Sequence, residues 1–205
     1  IKLYTSLQGR NIKELSEDLY LISPYPIYCL NSDLIKIQKI KDTINNEDIK
    51  FLAEVDSLNF RKIKIKADFK PGSKYNIIVL PLAVKTFYQQ INDTLNFQFE
   101  CRKEDYYGKL VINIDKKYTN LIIQLLSMKG EILNEKRVDN ENTIVFNYLQ
   151  PGQYKLRTII DNNNNGKWDT GNFKKKIQPE EVIYYKGNIE IRSNWEVNLN
   201  WQIFD

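Results

Sequence analysis

At 205 residues, with 42% hydrophobic and 12% aromatic side chains, the chain has room for one large β domain or two of ordinary size, and is too apolar for wholesale disorder. Its 30 basic and 26 acidic residues are mixed along the sequence to a net +4, too mild and dispersed to mark a nucleic-acid-binding surface. Histidine is absent, which excludes Ser–His and Cys–His catalysis and removes the commonest proton shuttle and metal ligand.

Helical spacing is scarce: NIKELSEDL (11–19) predicts at most a turn or two. The two cysteines, Cys29 and Cys101, have no zinc-type spacing and are read either as buried free thiols or as one disulfide of an exported protein. RKIKIK (61–66) alternates charge with apolar residues and predicts a half-wet strand, as do Leu95 to Cys101 and Trp195 to Ile203. By its phase in the last of these, Trp195 is a core residue. NIIVL (76–80), KLVINI (109–114), LIIQLL (121–126) and KLRTII (155–160) predict strands buried more completely.

FKPGSKY (69–75) and LQPGQY (149–154) each place Pro-Gly just before a tyrosine that opens an apolar strand. Pro then Gly suits a type II turn, and the tyrosine hydroxyl can bond nearby backbone as in a tyrosine corner. Two copies of this device, with the polar segment CRKEDYYG (101–108) between them, predict an all-β chain of two tandem antiparallel β-sandwich domains, 1–104 and 105–205. No apolar run approaches the roughly 18 residues of a membrane-spanning helix. The chain opens on Ile1, which fits a processed chain or a piece of a longer one.

DNNNNGKWDTGN (161–172) is the most site-like stretch. Counted from Asp161, oxygen-bearing side chains fall at the first, third, fifth and ninth positions (Asp161, Asn163, Asn165, Asp169), Gly166 at the sixth and the Lys167 carbonyl at the seventh, the pattern of an EF-hand-type Ca2+ loop. Asn172 stands at the twelfth position, where a strong site has a bidentate glutamate, and Lys174, Lys175 and Lys176 follow at once. The candidate metal ligands are therefore Asp161, Asn163, Asn165, Lys167, Asp169 and Asn172, with Ca2+ held weakly. The other reading is an Asx-rich hairpin loop pinned to the sheet by Trp168.

The stretch 146–173, FNYLQPGQYKLRTIIDNNNNGKWDTGNF, followed by QPEEV (178–182) and RSNWE (192–196), resembles the C-terminal region of a family of Ig-like-domain envelope proteins of Bacteroidota, usually read as lipoproteins. The first half, with FKPGSKYNIIVLPLAV (69–84), resembles the Ig-like domain that precedes it, and the second domain is also similar to transthyretin-like and collagen-adhesin-B-like sandwiches. The resemblance implies an exported, outer-membrane-associated protein on the periplasmic or surface side, anchored in a longer form by a lipidated N-terminus, with other envelope or outer-membrane proteins as partners. It carries no catalytic residues.

The leading expectation is thus a non-catalytic scaffold or protein-binding module, with Trp168, Tyr184, Tyr185 and Trp195 as aromatic candidates for an interface. A surface glycan-binding module is the alternative, although no aromatic platform can be placed on one face from the sequence. Glu180 and Glu181 are the nearest thing to an acid pair, but neighbours in a strand point to opposite faces, which argues against an enzyme.

Overall fold

The computed structural model describes residues 1–7, 9–41, 46–114, 120–138 and 142–203. The chain is all-β and divides into two compact units, Ile1–Glu104 and Asp105–Asp205. Among the described residues no helix is long and apolar enough to cross a membrane.

In the first unit, Tyr4–Thr5, Leu19–Ile22, Lys62–Ala67 and Phe51–Val55 form one sheet in that order. A second contains Ile12–Lys13, Leu95–Cys101, Lys74–Val79, Ile35–Ile40 and Asn46–Asp48. The period-two alternation decides what faces inward. Ile63 and Ile65 join Leu19 and Leu21 in the core, against Ile35, Ile37, Ile77 and Val79 of the other sheet. The intervening lysines stay wet: Lys64 pairs with Asp18 at 2.5 Å and Lys66 with Glu54 at 2.8 Å, exposed contacts of small energetic weight.

Of the turn or two expected at 11–19, one tight turn forms, closed by Glu17 N to Glu14 O at 3.3 Å, and no helix. Ile12–Lys13 instead pairs in parallel with Glu100 and Cys101. Lys13 is buried, its ammonium donating to the Glu14 and Glu17 carbonyls at 3.0 and 2.6 Å, and burial lowers its pKa. Glu14 is buried too and accepts from Arg102 at 2.8 Å. The parallel pairing and the Arg102 bond, both long-range, outweigh a weak local helix preference. Cys29 is exposed and Cys101 buried, both as free thiols, so no disulfide joins them; burial pushes the Cys101 thiol up to about 11.

In the second unit Thr143–Leu149, Gly108–Ile114 and Glu196–Trp201 form one sheet, the last two in parallel. Ile132–Val138, Leu121–Leu126, Gly152–Ile160 and Val182–Tyr184 form the facing sheet, and Ile189–Ile191 pairs with the start of Gly152–Ile160. Leu110, Ile112, Phe146, Leu156 and Trp201 lie in the core between them. LIIQLL is buried at every position, as its nearly continuous apolar run predicts. Its one polar member, Gln124, is satisfied by accepting from Arg157 Nε at 2.6 Å and donating to Glu135.

Both Pro-Gly tyrosines tie their rings to the chain upstream, in opposite senses. Tyr75 accepts from the Lys70 amide at 2.7 Å, whereas Tyr154 donates to the Gln150 carbonyl at 2.6 Å. The first copy is a tight turn closed by Ser73 N to Lys70 O at 3.3 Å, with Gly72 at φ +65°, as a type II turn needs. The second departs from that expectation. Gly152 has φ 157° and already belongs to a strand paired with Ile191, and the left-handed residue is Tyr148 at φ 55°. Tyr75→Phe and Tyr154→Phe are each expected to lower the unfolding free energy by about 0.5–1.5 kcal/mol, read as a shift of the urea midpoint at constant m.

Candidate functional site

The strand Gly152–Ile160 ends in a loop that curls on Asp161, which is 2% exposed. Its amide donates to Asn120 O at 2.9 Å, fixing the loop to the end of Leu121–Leu126. Its carboxylate takes two backbone donors, Asn165 N on Oδ1 at 3.0 Å and Gly166 N on Oδ2 at 2.6 Å. Such a tight return needs left-handed backbone, supplied by Asn164 at φ 55° and Gly166 at φ 75°.

Two Asx turns continue the curl: Asn163 Oδ1 accepts from Asn165 N at 3.0 Å, and Asn165 Oδ1 accepts from Lys167 N at 2.8 Å. The Asn163 and Asn165 amide nitrogens both donate to Asp169 Oδ2, the second at 2.6 Å. The structure therefore gathers Asp161, Asn163, Asn165 and Asp169 into one network, with Lys167 tied in by its backbone. Asn172 heads a separate turn, bonding Ile177 O through its amide at 2.8 Å and accepting from Lys175 N at 3.1 Å.

Glu180 is the residue that local spacing does not reveal. It is 7% exposed, and its two oxygens accept from Asn162 N at 2.8 Å and Asp169 N at 3.0 Å, one on each side of the loop. Its own amide donates to Asp169 O at 3.1 Å, and its carbonyl accepts from Trp168 Nε1 at 3.0 Å. Trp168 thus pins the loop, although to the returning segment rather than into the core, and remains 48% exposed. Glu181 is exposed. Arg137, from Ile132–Val138 on the far side of Leu121–Leu126, packs its guanidinium over Gly166 and stands 3.8 Å from Asp161 Oδ2.

The donor set suits a hard cation in kind. A half-turn of the Asn163 and Asn165 carboxamides would place oxygen where nitrogen now meets Asp169, at the cost of the two Asx turns that their oxygens close. Neutral carboxamides dominate that set, and among the described residues no group of three or more His, Cys, Asp or Glu side chains is spaced to hold a metal.

Of the aromatic candidates, Tyr184 is exposed and lies near Arg157, while Tyr185 packs edge to face on the core residue Trp201 at 5.8 Å. Trp195 is not the core residue its phase predicts. The strand starts one residue later, at Glu196, and Trp195 is 58% exposed beneath the Arg192 guanidinium at 5.3 Å.

No family model matches the chain, and no curated protein does. Among solved structures, it is similar to the N-terminal part of the bacterial S-layer protein SbsC at 9% identity and TM-score 0.43, over 94% of this chain and 43% of that one. It is also similar to BcpA, the major pilin subunit of Bacillus cereus, at 8% identity and TM-score 0.32, over 98% and 69% of the two chains. A third likeness is to the group B streptococcus pilus 2b backbone protein, at 10% identity and TM-score 0.27, over 98% and 96%. The chain spans less than half the length of the S-layer structure.

Proposed function

We propose that the protein is a non-catalytic, extracytoplasmic module of the cell envelope that scaffolds or binds other envelope proteins, in an outer-membrane-associated assembly. Its loop, in this reading, is a weak structural Ca2+ site. The observation that carries this is how the two buried carboxylates of the loop are used. Asp161 and Glu180 each spend both oxygens on backbone N–H groups, so the loop's two buried carboxylates hold it in shape. The resemblance of 146–199 to Bacteroidota envelope proteins supports the location, and with it a lipidated N-terminus in a longer form.

A Ca2+ loop of mostly neutral oxygens belongs to the weak extracellular class, with Kd of roughly 10⁻⁴–10⁻³ M. At ~10 mM Ca2+ the expected stabilisation is about 1.4–2.7 kcal/mol, seen as a higher melting temperature than in EDTA and lost in Asp169→Ala. Equal melting in Ca2+ and EDTA would leave the loop as an Asx hairpin. The scaffold reading is tested by isolating the protein from detergent-solubilised envelopes: fixed, stoichiometric companions are expected, and recovery of the protein alone would overturn it.

A further inference from the structure

Four exposed aromatic side chains stand together on the first unit, where Ile27–Leu30 pairs with Val84–Thr86. Tyr25 meets Tyr88 edge to face at 5.5 Å between ring centres, and Tyr28 meets Phe87 at 5.4 Å. The backbone fixes the two rows, with Phe87 N donating to Pro26 O at 3.1 Å. Ile27, Val84 and Thr86 are buried, so strand alternation turns Tyr28 and Phe87 outward. Tyr28, Phe87 and Tyr88 are 63%, 59% and 67% exposed, far more than aromatic rings with only a packing role. Each ring rests against another, so the patch is ordered without being covered.

The surroundings say what it suits. Across 23–32 and 80–92, Lys85 is the only charged residue. The hydroxyls of Tyr25, Tyr28 and Tyr88 and the side-chain carboxamides of Gln89 and Gln90 form no hydrogen bond among the described residues. An anionic polymer calls for several cations beside the rings, and a dry apolar protein face leaves five polar side chains unpaired. An uncharged ligand with apolar C–H faces and many hydroxyls matches both the rings and the open polar groups.

We propose that this patch binds a neutral polysaccharide, its sugar faces stacking on Tyr28, Phe87 and Tyr88 and its hydroxyls bonding the phenols, Gln89 and Gln90. The inference goes beyond the scaffold reading and does not rest on the Ca2+ loop. It is tested by electrophoresis of the 205-residue protein in native gels containing dextran, mannan or laminarin, or anionic alginate. Retardation by at least one neutral polymer is expected. The double variant Tyr28→Ala/Tyr88→Ala should weaken it by about tenfold or more, and Phe173→Ala, at an exposed aromatic of the other unit, should leave it unchanged. Tyr28→Phe/Tyr88→Phe keeps both rings, guards against misfolding, and should weaken binding through the lost hydroxyls. Retardation by alginate alone, by no polymer, or equally in the patch variants and wild type would overturn the proposal. So would an envelope protein whose binding to the sugar-free chain is abolished by the double variant.

Discussion

Glu180→Ala is expected to lower the unfolding free energy by about 3–5 kcal/mol, because two charge-assisted hydrogen bonds to backbone N–H groups are lost together and both donors are left without their partner. Glu180→Gln keeps one acceptor oxygen and should lose roughly half as much. The loss should be visible in urea denaturation, and Trp168, hydrogen-bonded to the Glu180 backbone, should report loosening of the loop by fluorescence before the main transition. Values under about 1 kcal/mol for Glu180→Ala, in the range of an ordinary surface change, would sink the idea that this carboxylate holds the loop.

Phe146→Ala should cost a similar amount, about 3–5 kcal/mol, for a different reason. Phe146 is 0% exposed, lies opposite Leu110 in the three-stranded sheet, and fills the centre of the second unit's core. Its removal leaves a cavity that the paired strand Gly108–Ile114 and the facing sheet hinder from closing. Phe146→Leu, which keeps much of the volume, should recover most of the loss; equal losses for the two variants would show that the ring itself, and not filled space, is what matters there.

Much of the architecture was legible because a strand writes its burial into alternate residues. Ile63 and Ile65, Phe99 and Cys101, and the nearly all-apolar LIIQLL all face where their patterns say. The gathering of Asp161, Asn163, Asn165 and Asp169 was legible for the same local reason, since an Asx-rich curl is set by neighbours two to five positions away. Glu180 was not, because it reaches the loop only after the chain has gone out through the lysine run and returned. Trp195 was misread because alternation gives the phase of a strand but not its first residue. The strand at the start of NIKELSEDL was not legible because its pairing partner, Glu100 and Cys101, lies far along the chain. The aromatic patch needed the register of Ile27–Leu30 against Val84–Thr86, which neither segment contains by itself.

The parallel seam between Gly108–Ile114 and Glu196–Trp201 has a consequence for how the second unit comes into being. The unit's first strand is flanked on one side by its last, and contacts such as Lys109 with Glu196 close a separation of 87 residues. Loop-closure entropy of that kind is met late, and it slows folding relative to a meander of hairpins. During synthesis Gly108–Ile114 emerges long before its partner and waits with one edge unpaired, the situation in which strands find wrong neighbours. Lys109 and Asn113 at that edge keep it polar while it waits, and they become the ion pair and amide contact that seal the seam once Glu196 and Asn200 arrive.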